Sequence, residues 1–395
     1  MSNLLDLSPS IVQSIRSLYS VDLLDNPFPN YHLVREFEPI KYEQVHDTWV
    51  FTRYADVVRI LKDPLTFSSK KPITFTSASE GSEIVLFSNA PPKHTGLRSL
   101  IKKSFNTNSI EDLKPWMETT VASLVADFSA SYTDVASLLT TPLPVMVIAK
   151  LLGVPTSDWE QLKSWTETGI GNKDSGTQRH GPKAYVEMFQ YFKEQTKIKR
   201  REPKEDIISL LATSKVDGNR LTDMEILNFC TMLLIAGSET TSSLMSNMLN
   251  ILATRPQLWK RLRDDRSVVE PVIEETLRYD SPAQFFSRKV TSPVCFGDRR
   301  FEPGTLLTVC IGAANRDPEV FTNPDDFNPN RPEKRHLAFS HGIHYCVGAA
   351  LSRLEAGIVL NYLLDCYGSI ARAGTGTRYP NLVLRGFKHL PLNLC

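Results

Sequence analysis

No stretch of this 395-residue chain reaches the roughly 18 uninterrupted apolar residues that a bilayer-spanning helix needs, so no membrane span is expected. The opening residues, MSNLLDLSPSIVQSIRSLYS, lack a basic leader, an apolar block and a small-residue cleavage site, so a cytoplasmic location is the expectation. Charge of one sign is missing as well. With 45 basic and 44 acidic side chains, the formal charge of +1 gives no global reason to expect nucleic acid or an anionic surface as partner. The six cysteines, Cys230, Cys295, Cys310, Cys346, Cys366 and Cys395, are scattered and include no CxxC, which argues against zinc and iron–sulfur clusters and for a reducing compartment. There is neither an internal repeat nor a flexible linker. With 41% hydrophobic residues, enough for a substantial core, residues 1–395 are expected to form a single domain.

What is present is mostly helical patterning. Residues 49–63 predict a short strand and then a helix stopped at Asp63-Pro64, and residues 67–92, rich in Ser, Thr and Lys, read as a long loop. Helical periodicity then runs through 116–128, 142–152 and 159–168, and the polar stretch 169–182 reads as a connection between helices. The charge run at 193–206 reads as a solvated helix end. Thr222 caps a very long helix reaching to Thr254. Short β-like pieces follow at 285–289, 294–296 and 306–311, and the C-terminus alternates strands and turns.

Two segments carry chemistry. In FSHGIHYCVG, residues 339–348, Cys346 lies on a glycine-bearing loop that runs directly into a helical stretch, Ala349 to Leu364. A thiolate there is suited to ligate haem iron, its charge held by backbone N–H groups and the helix start. Gly342 supplies a conformation closed to other residues, Gly348 permits close approach, Phe339 shields the sulfur, and His344 is placed to meet an acidic group at the haem edge. In AGSETT, residues 236–241, an acid and an alcohol interrupt an apolar helix, which is costly unless they face water, a ligand or a bend. Gly237 either gives a flat cofactor room or is a small residue where helices cross. Thr240 is expected to bond back to a carbonyl and to orient dioxygen and its water, and Glu239 to connect them to a proton source.

Opposite charges three apart at Glu275 and Arg278 fit either a surface ion pair or a buried network clasping the thiolate loop. His94 and Arg98 stand one helical turn apart. Together with Arg288 and His344 they are suited to hold two propionates by charge-assisted hydrogen bonds.

With these motifs in this order, the sequence resembles the cytochrome P450 family, in particular its soluble bacterial members, over essentially its whole length. The resemblance implies a mainly α triangular prism with small β-sheets, haem b with Cys346 as axial thiolate, and Arg331 as third member of the Glu275–Arg278 network. Cofactor contacts are then expected at His94, Arg98, Ala236, Gly237, Arg288, Phe339, His344, Cys346 and Gly348, with Glu239 and Thr240 delivering protons. It implies electrons from a ferredoxin or flavodoxin with its NAD(P)H-dependent reductase, docking over Lys102, Lys103, Arg335, His341 and Arg353. Two positions depart from the pattern: Ser340 stands where glycine is usual, and Gly96 where a bulkier residue is common.

The resemblance also implies a substrate pocket drawing on Phe87, Leu233, Ala236, Ala283, Gln284, Phe285, Phe286, Val383 and Leu384. Mostly apolar, it suits a small lipophilic substrate. On an extended strand Phe285 and Phe286 point opposite ways, so at most one reaches it. The expected reaction is O2-dependent hydroxylation or epoxidation. Oxidative coupling or desaturation on the same scaffold, or a non-catalytic haem protein that binds gas, are the alternatives.

Overall fold

The structure, a computed structural model, describes residues 15–70, 86, 93–129, 132–170, 181–216 and 218–395. It is mainly helical with small sheets, as expected. The chain forms two compact units, each assembled from separate stretches: residues 1–74, 274–346 and 378–385 in one, and 75–273, 347–377 and 386–395 in the other.

The first unit is built on a sheet of five strands, β1 (Ile40–Glu43), β2 (Thr48–Phe51), β3 (Phe67–Ser68), β4 (Phe285–Val290) and β5 (Leu306–Cys310), in the order β1-β2-β5-β4-β3. β5 runs parallel to β2 and antiparallel to β4, setting Leu307 opposite Arg288 and Cys310 opposite Phe285. Because successive side chains leave a strand on opposite faces, the sheet feeds two cores. Phe51, Leu307, Val309 and Val290 join Val57, Ile60, Leu61, Phe296 and Phe301 on one face. Val50, Phe285 and Cys310 join Leu18, Tyr31 and Val34 on the other. Phe51, fully buried and 4.7 Å from Phe296 ring to ring, is worth roughly 2–3 kcal/mol in removed apolar surface.

The second unit is organised by the long helix Asp223–Leu252. Thr222 and Glu225 form a reciprocal capping box, Glu225 N donating to Thr222 Oγ1 at 3.2 Å and Thr222 N to Glu225 Oε2 at 2.9 Å. The helix Pro142–Leu152 crosses it, with Pro142 inside its first turn and Gly153 closing it at φ +80°. The helix Ala349–Cys366 also packs on it, joined by a 3.0 Å hydrogen bond between Thr241 Oγ1 and Ser352 Oγ. Thr133–Asp134, Pro391–Leu394 and Ile370–Arg372 make a three-stranded sheet. The charge run at 193–206 is not wholly solvated: Lys199 and Asp206 form a buried ion pair, and Asp206 caps the helix Ile207–Thr213 through Ser209 N at 2.7 Å. Among the described residues no helix is long and apolar enough to cross a membrane.

Gly96, one of the two unusual positions, has a local cause. A Cβ there would lie 2.9 Å from Val216 Cγ1, so the glycine lets the paired strands 215–216 and 219–220 press on the helix Lys93–Lys102.

Candidate functional site

Cys346 is half-buried at the end of a loop that its own backbone closes, Cys346 N donating to Phe339 O at 2.9 Å. Two left-handed residues make the loop tight. Gly342 has φ +71°, and a Cβ on it would meet Leu61 O at 2.7 Å, so only glycine fits. Ser340 has φ +61°. The serine therefore takes up the backbone that glycine adopts freely, and its N–H still reaches Leu337 O at 2.8 Å. Its Oγ is buried with no hydrogen-bond partner among the described residues. A side chain in this conformation costs about 1–2 kcal/mol, and the orphaned hydroxyl adds to that. Ser340→Gly is expected to stabilise the protein by about 1 kcal/mol after the entropy glycine releases on unfolding; urea denaturation giving a less stable variant would contradict this. Phe339 is buried near the His336 and Tyr345 rings, at 6.0 and 6.3 Å. Gly348 precedes the helix Ala349–Cys366, and its carbonyl accepts from Ser352 N at 2.9 Å.

The Glu275–Arg278 pair is the buried network and not the surface pair. Arg278 donates through Nη2 and Nε to the two Glu275 oxygens, both at 2.8 Å, and Arg331 Nε reaches Oε1 at 3.4 Å. All three side chains are buried. The remaining donors grip backbone: Arg278 holds the carbonyls of Asn315, Pro324 and Asp326, and Arg331 those of Thr322, Asn323 and Asp326. The network therefore clasps residues 315–328 first. It reaches the thiolate loop through Asn315, whose Oδ1 accepts from Leu337 N at 2.7 Å.

Of the four expected cations, Arg288 and His344 belong to the first unit and His94 and Arg98 to the second. Arg288 is buried, and its guanidinium donates to Ser287 O at 2.8 Å. Burial lowers its pKa to about 10, and no acidic side chain among the described residues offsets that cost. His344 Nε2 lies 3.0 Å from Ser69 Oγ. His94 is buried, and desolvation together with the Arg98 charge pushes its pKa below the usual histidine value.

On the long helix, Thr240 Oγ1 donates to Ala236 O at 2.6 Å, the expected back-bond, while the helix stays continuous. Glu239 is half-buried, and its Oε1 accepts from Thr166 Oγ1 at 3.1 Å. Thr166 was not foreseen: nothing in the local pattern of the helix Trp159–Ile170 marks it. Gly237 proves to be a crossing residue. A Cβ would lie 2.5 Å from Ile148 Cδ1, so its small size serves the contact with the helix Pro142–Leu152.

The pocket candidates divide. Leu233 and Ala283 are buried and Ala236 half-buried. Val383 and Leu384 lie on a strap beside Ala283, which bridges Leu384. Phe285 is core, 1% exposed with its ring 5.2 Å from Tyr19 and edge-on to Tyr31. Phe286 packs on the opposite aromatic cluster. Gln284 is also committed inside, its Nε2 donating to Ser281 O at 2.6 Å. Strand alternation separates the two phenylalanines as expected, but each side it offers is already filled by a core. Phe87 and most of the 67–92 loop lie outside the described residues.

A closed cysteine loop, a buried Glu–Arg–Arg clasp and an acid–alcohol pair on a long helix are the features that the resemblance to haem-thiolate oxygenases calls for. Residues 172–369 match the family model "Cytochrome P450". The chain is 34% identical to "Cytochrome P450 109" of Bacillus spizizenii, over 93% of this chain and 92% of that protein. It is 33% identical to the cyclomarin C epoxidase CymV of Salinispora arenicola, over 88% and 90%. Among solved structures, CYP109E1 from Bacillus megaterium in complex with testosterone superposes with a TM-score of 0.87 at 33% identity, over 95% of this chain and 99% of that one. The chain belongs to the cytochrome P450 family and is a monooxygenase of that type.

That family carries haem with a cysteine thiolate ligand. The residues present fit the group: the buried Arg288 guanidinium, for which the described residues supply no anion, suits a carboxylate, and Cys346 would supply the thiolate donor.

Proposed function

We propose that this enzyme places one atom of O2 into a lipophilic substrate of steroid or macrocycle size, by hydroxylation or epoxidation, and releases the other as water. Two electrons and two protons balance each turnover, the electrons coming from a ferredoxin or flavodoxin and its NAD(P)H-dependent reductase. The substrate class follows the relatives, one named for epoxidising cyclomarin C and one crystallised with testosterone. No disulfide joins any of the six cysteines, which favours the cytoplasm, where thiols stay reduced.

When bound, haem supplies oxygen binding and transfer at the iron. Cys346 would hold the metal as thiolate, and Arg288, His344, His94 and Arg98 would bind the propionates. The observation that carries the reading is the Glu239–Thr240 pair. Thr240 has committed its hydroxyl proton to Ala236 O, so its lone pairs accept a hydrogen bond from water or a protonated oxygen beside the helix. Glu239, the preceding residue, takes protons from water and passes them on, with Thr166 holding one of its oxygens. An oxidant that already carries its protons, such as peroxide, has no use for such a relay.

Thr240→Ala tests this. Haem should bind normally, while product formed per electron pair should fall by roughly tenfold or more, the low end of what acid–base groups contribute, with the missing electrons appearing as peroxide or water. Unchanged coupling would remove the relay from the mechanism.

A further inference from the structure

We propose that Asp280 is a positioning residue for substrate selectivity: its two carboxylate oxygens clamp both ends of the strap Arg378–Arg385 and so set where Val383 and Leu384 stand. The inference rests on the reading of the enzyme as an oxygenase of lipophilic substrates, in which Leu384 faces substrate while its neighbour Val383 packs against the core of Tyr31 and Phe285.

Asp280 is 4% exposed. Its Oδ1 accepts from Arg385 Nε at 2.6 Å and its Oδ2 from Arg378 Nη2 at 3.3 Å, so one side chain meets the first and last residues of an eight-residue strap. Arg385 spends its other donors on Leu24 O at 2.6 Å and Asp25 O at 2.8 Å, which fixes that end to a third segment of chain. Within the strap, Asn381 Oδ1 accepts from Val383 N at 2.8 Å and Leu384 N at 3.1 Å. Gln284 N donates to Val383 O at 2.8 Å and Arg385 N to Pro282 O at 2.7 Å, and Ala283 bridges Leu384. The strap is thus laid antiparallel along residues 282–284, directly after the clamp.

Electrostatics keep the clamp charged. Burial disfavours the Asp280 carboxylate, but Arg385, Arg378 and Arg316 outweigh it and hold its pKa below the usual range. Arg316 is itself fixed, with its guanidinium carbon 3.4 Å from the Phe28 ring centre and 3.8 Å from that of Tyr279. Because the strap contacts are backbone hydrogen bonds, the residue types at 383 and 384 can vary while their position is imposed from Asp280.

The test uses holoprotein and three variants: Asp280→Asn, and the milder Arg378→Gln and Asn381→Ala, which loosen one end or the tip should Asp280→Asn not fold. Dissociation constants are read from the haem spin shift for testosterone, a macrolactone and palmitate, with imidazole, which binds the iron itself, as control. Hydrogen exchange is followed at the amides of 382–385. The ratio of testosterone to palmitate affinity should change about tenfold, the effect of one misplaced methylene, with imidazole affinity constant and strap exchange faster. Variants that melt earlier yet keep the affinity ratios and strap protection would overturn the proposal, leaving Asp280 a stabilising ion-pair residue. If the wild type gives no spin shift with any lipophile, the substrate reading fails; strap exchange unchanged in the variants then overturns the clamp separately, and faster exchange sustains it.

Discussion

Glu275→Ala should lower stability by about 3–5 kcal/mol, the usual consequence of removing one partner from a buried ion pair. The guanidiniums of Arg278 and Arg331 would keep their carbonyl partners but lose the only carboxylate to which both donate among the described residues. Asn328 N would also lose its acceptor, 2.8 Å away on Glu275 Oε1. Against a typical total of about 5–15 kcal/mol, that is roughly a fifth or more of the whole. The segment 315–328 should loosen, and with it the Asn315 side chain that holds Leu337 N at the root of the thiolate loop. We expect little folded protein and still less haem incorporated, with Glu275→Gln intermediate because it keeps the shape and one acceptor. Denaturant midpoints for Glu275→Ala within about 1 kcal/mol of wild type would show the network to be dispensable.

The second large effect is spectroscopic. Cys346→Ser should abolish the thiolate band in the ferrous–CO difference spectrum while leaving the loop folded, since the bond closing it runs from the backbone N of residue 346 to Phe339 O. The two fully buried cysteines are poor substitutes. Cys230 and Cys310 are fully buried, and burial pushes both thiols up, Cys310 to about 12, so they stay protonated. Cys295, Cys366 and Cys395 are exposed. A thiolate band persisting in Cys346→Ser, or a histidine-like CO spectrum in folded wild type, would mean that the iron is held elsewhere.

The parts of the fold and site that show in the sequence are those written over a few residues. The capping box at Thr222 and Glu225, the back-bond from Thr240 to Ala236 and the glycine turn before Cys346 each span four residues or fewer on either side, and spacing exposes them. Glu275 and Arg278 are visible as a pair, but their burial depends on carbonyls some 40 to 50 residues downstream, which periodicity does not register. Thr166 lies 73 residues from Glu239, and Arg385 lies 105 from Asp280, so neither partner announces itself. The packing of Phe285 and Phe286 was hidden for another reason. Alternation sends Phe285 and Phe286 to opposite faces, but only the packed sheet shows that both faces are already occupied. Ser340 could be read as a departure, yet whether the turn would bend or the serine strain was decided by the backbone, and it was the serine.

The bonds from Arg385 to the carbonyls of Leu24 and Asp25 join residues 361 and 360 apart. During synthesis at about 5–20 residues per second, the amino-terminal segment waits roughly 20–70 s for its arginine to be made. For the last roughly 5–20 s of that interval Asp280 exists without the strap it will hold. A nascent chain of this enzyme therefore carries the segment around Leu24 and Asp25 unclasped until Arg385 has emerged, and chaperone occupancy measured along the ribosome-bound chain should persist there until codon 385 has passed.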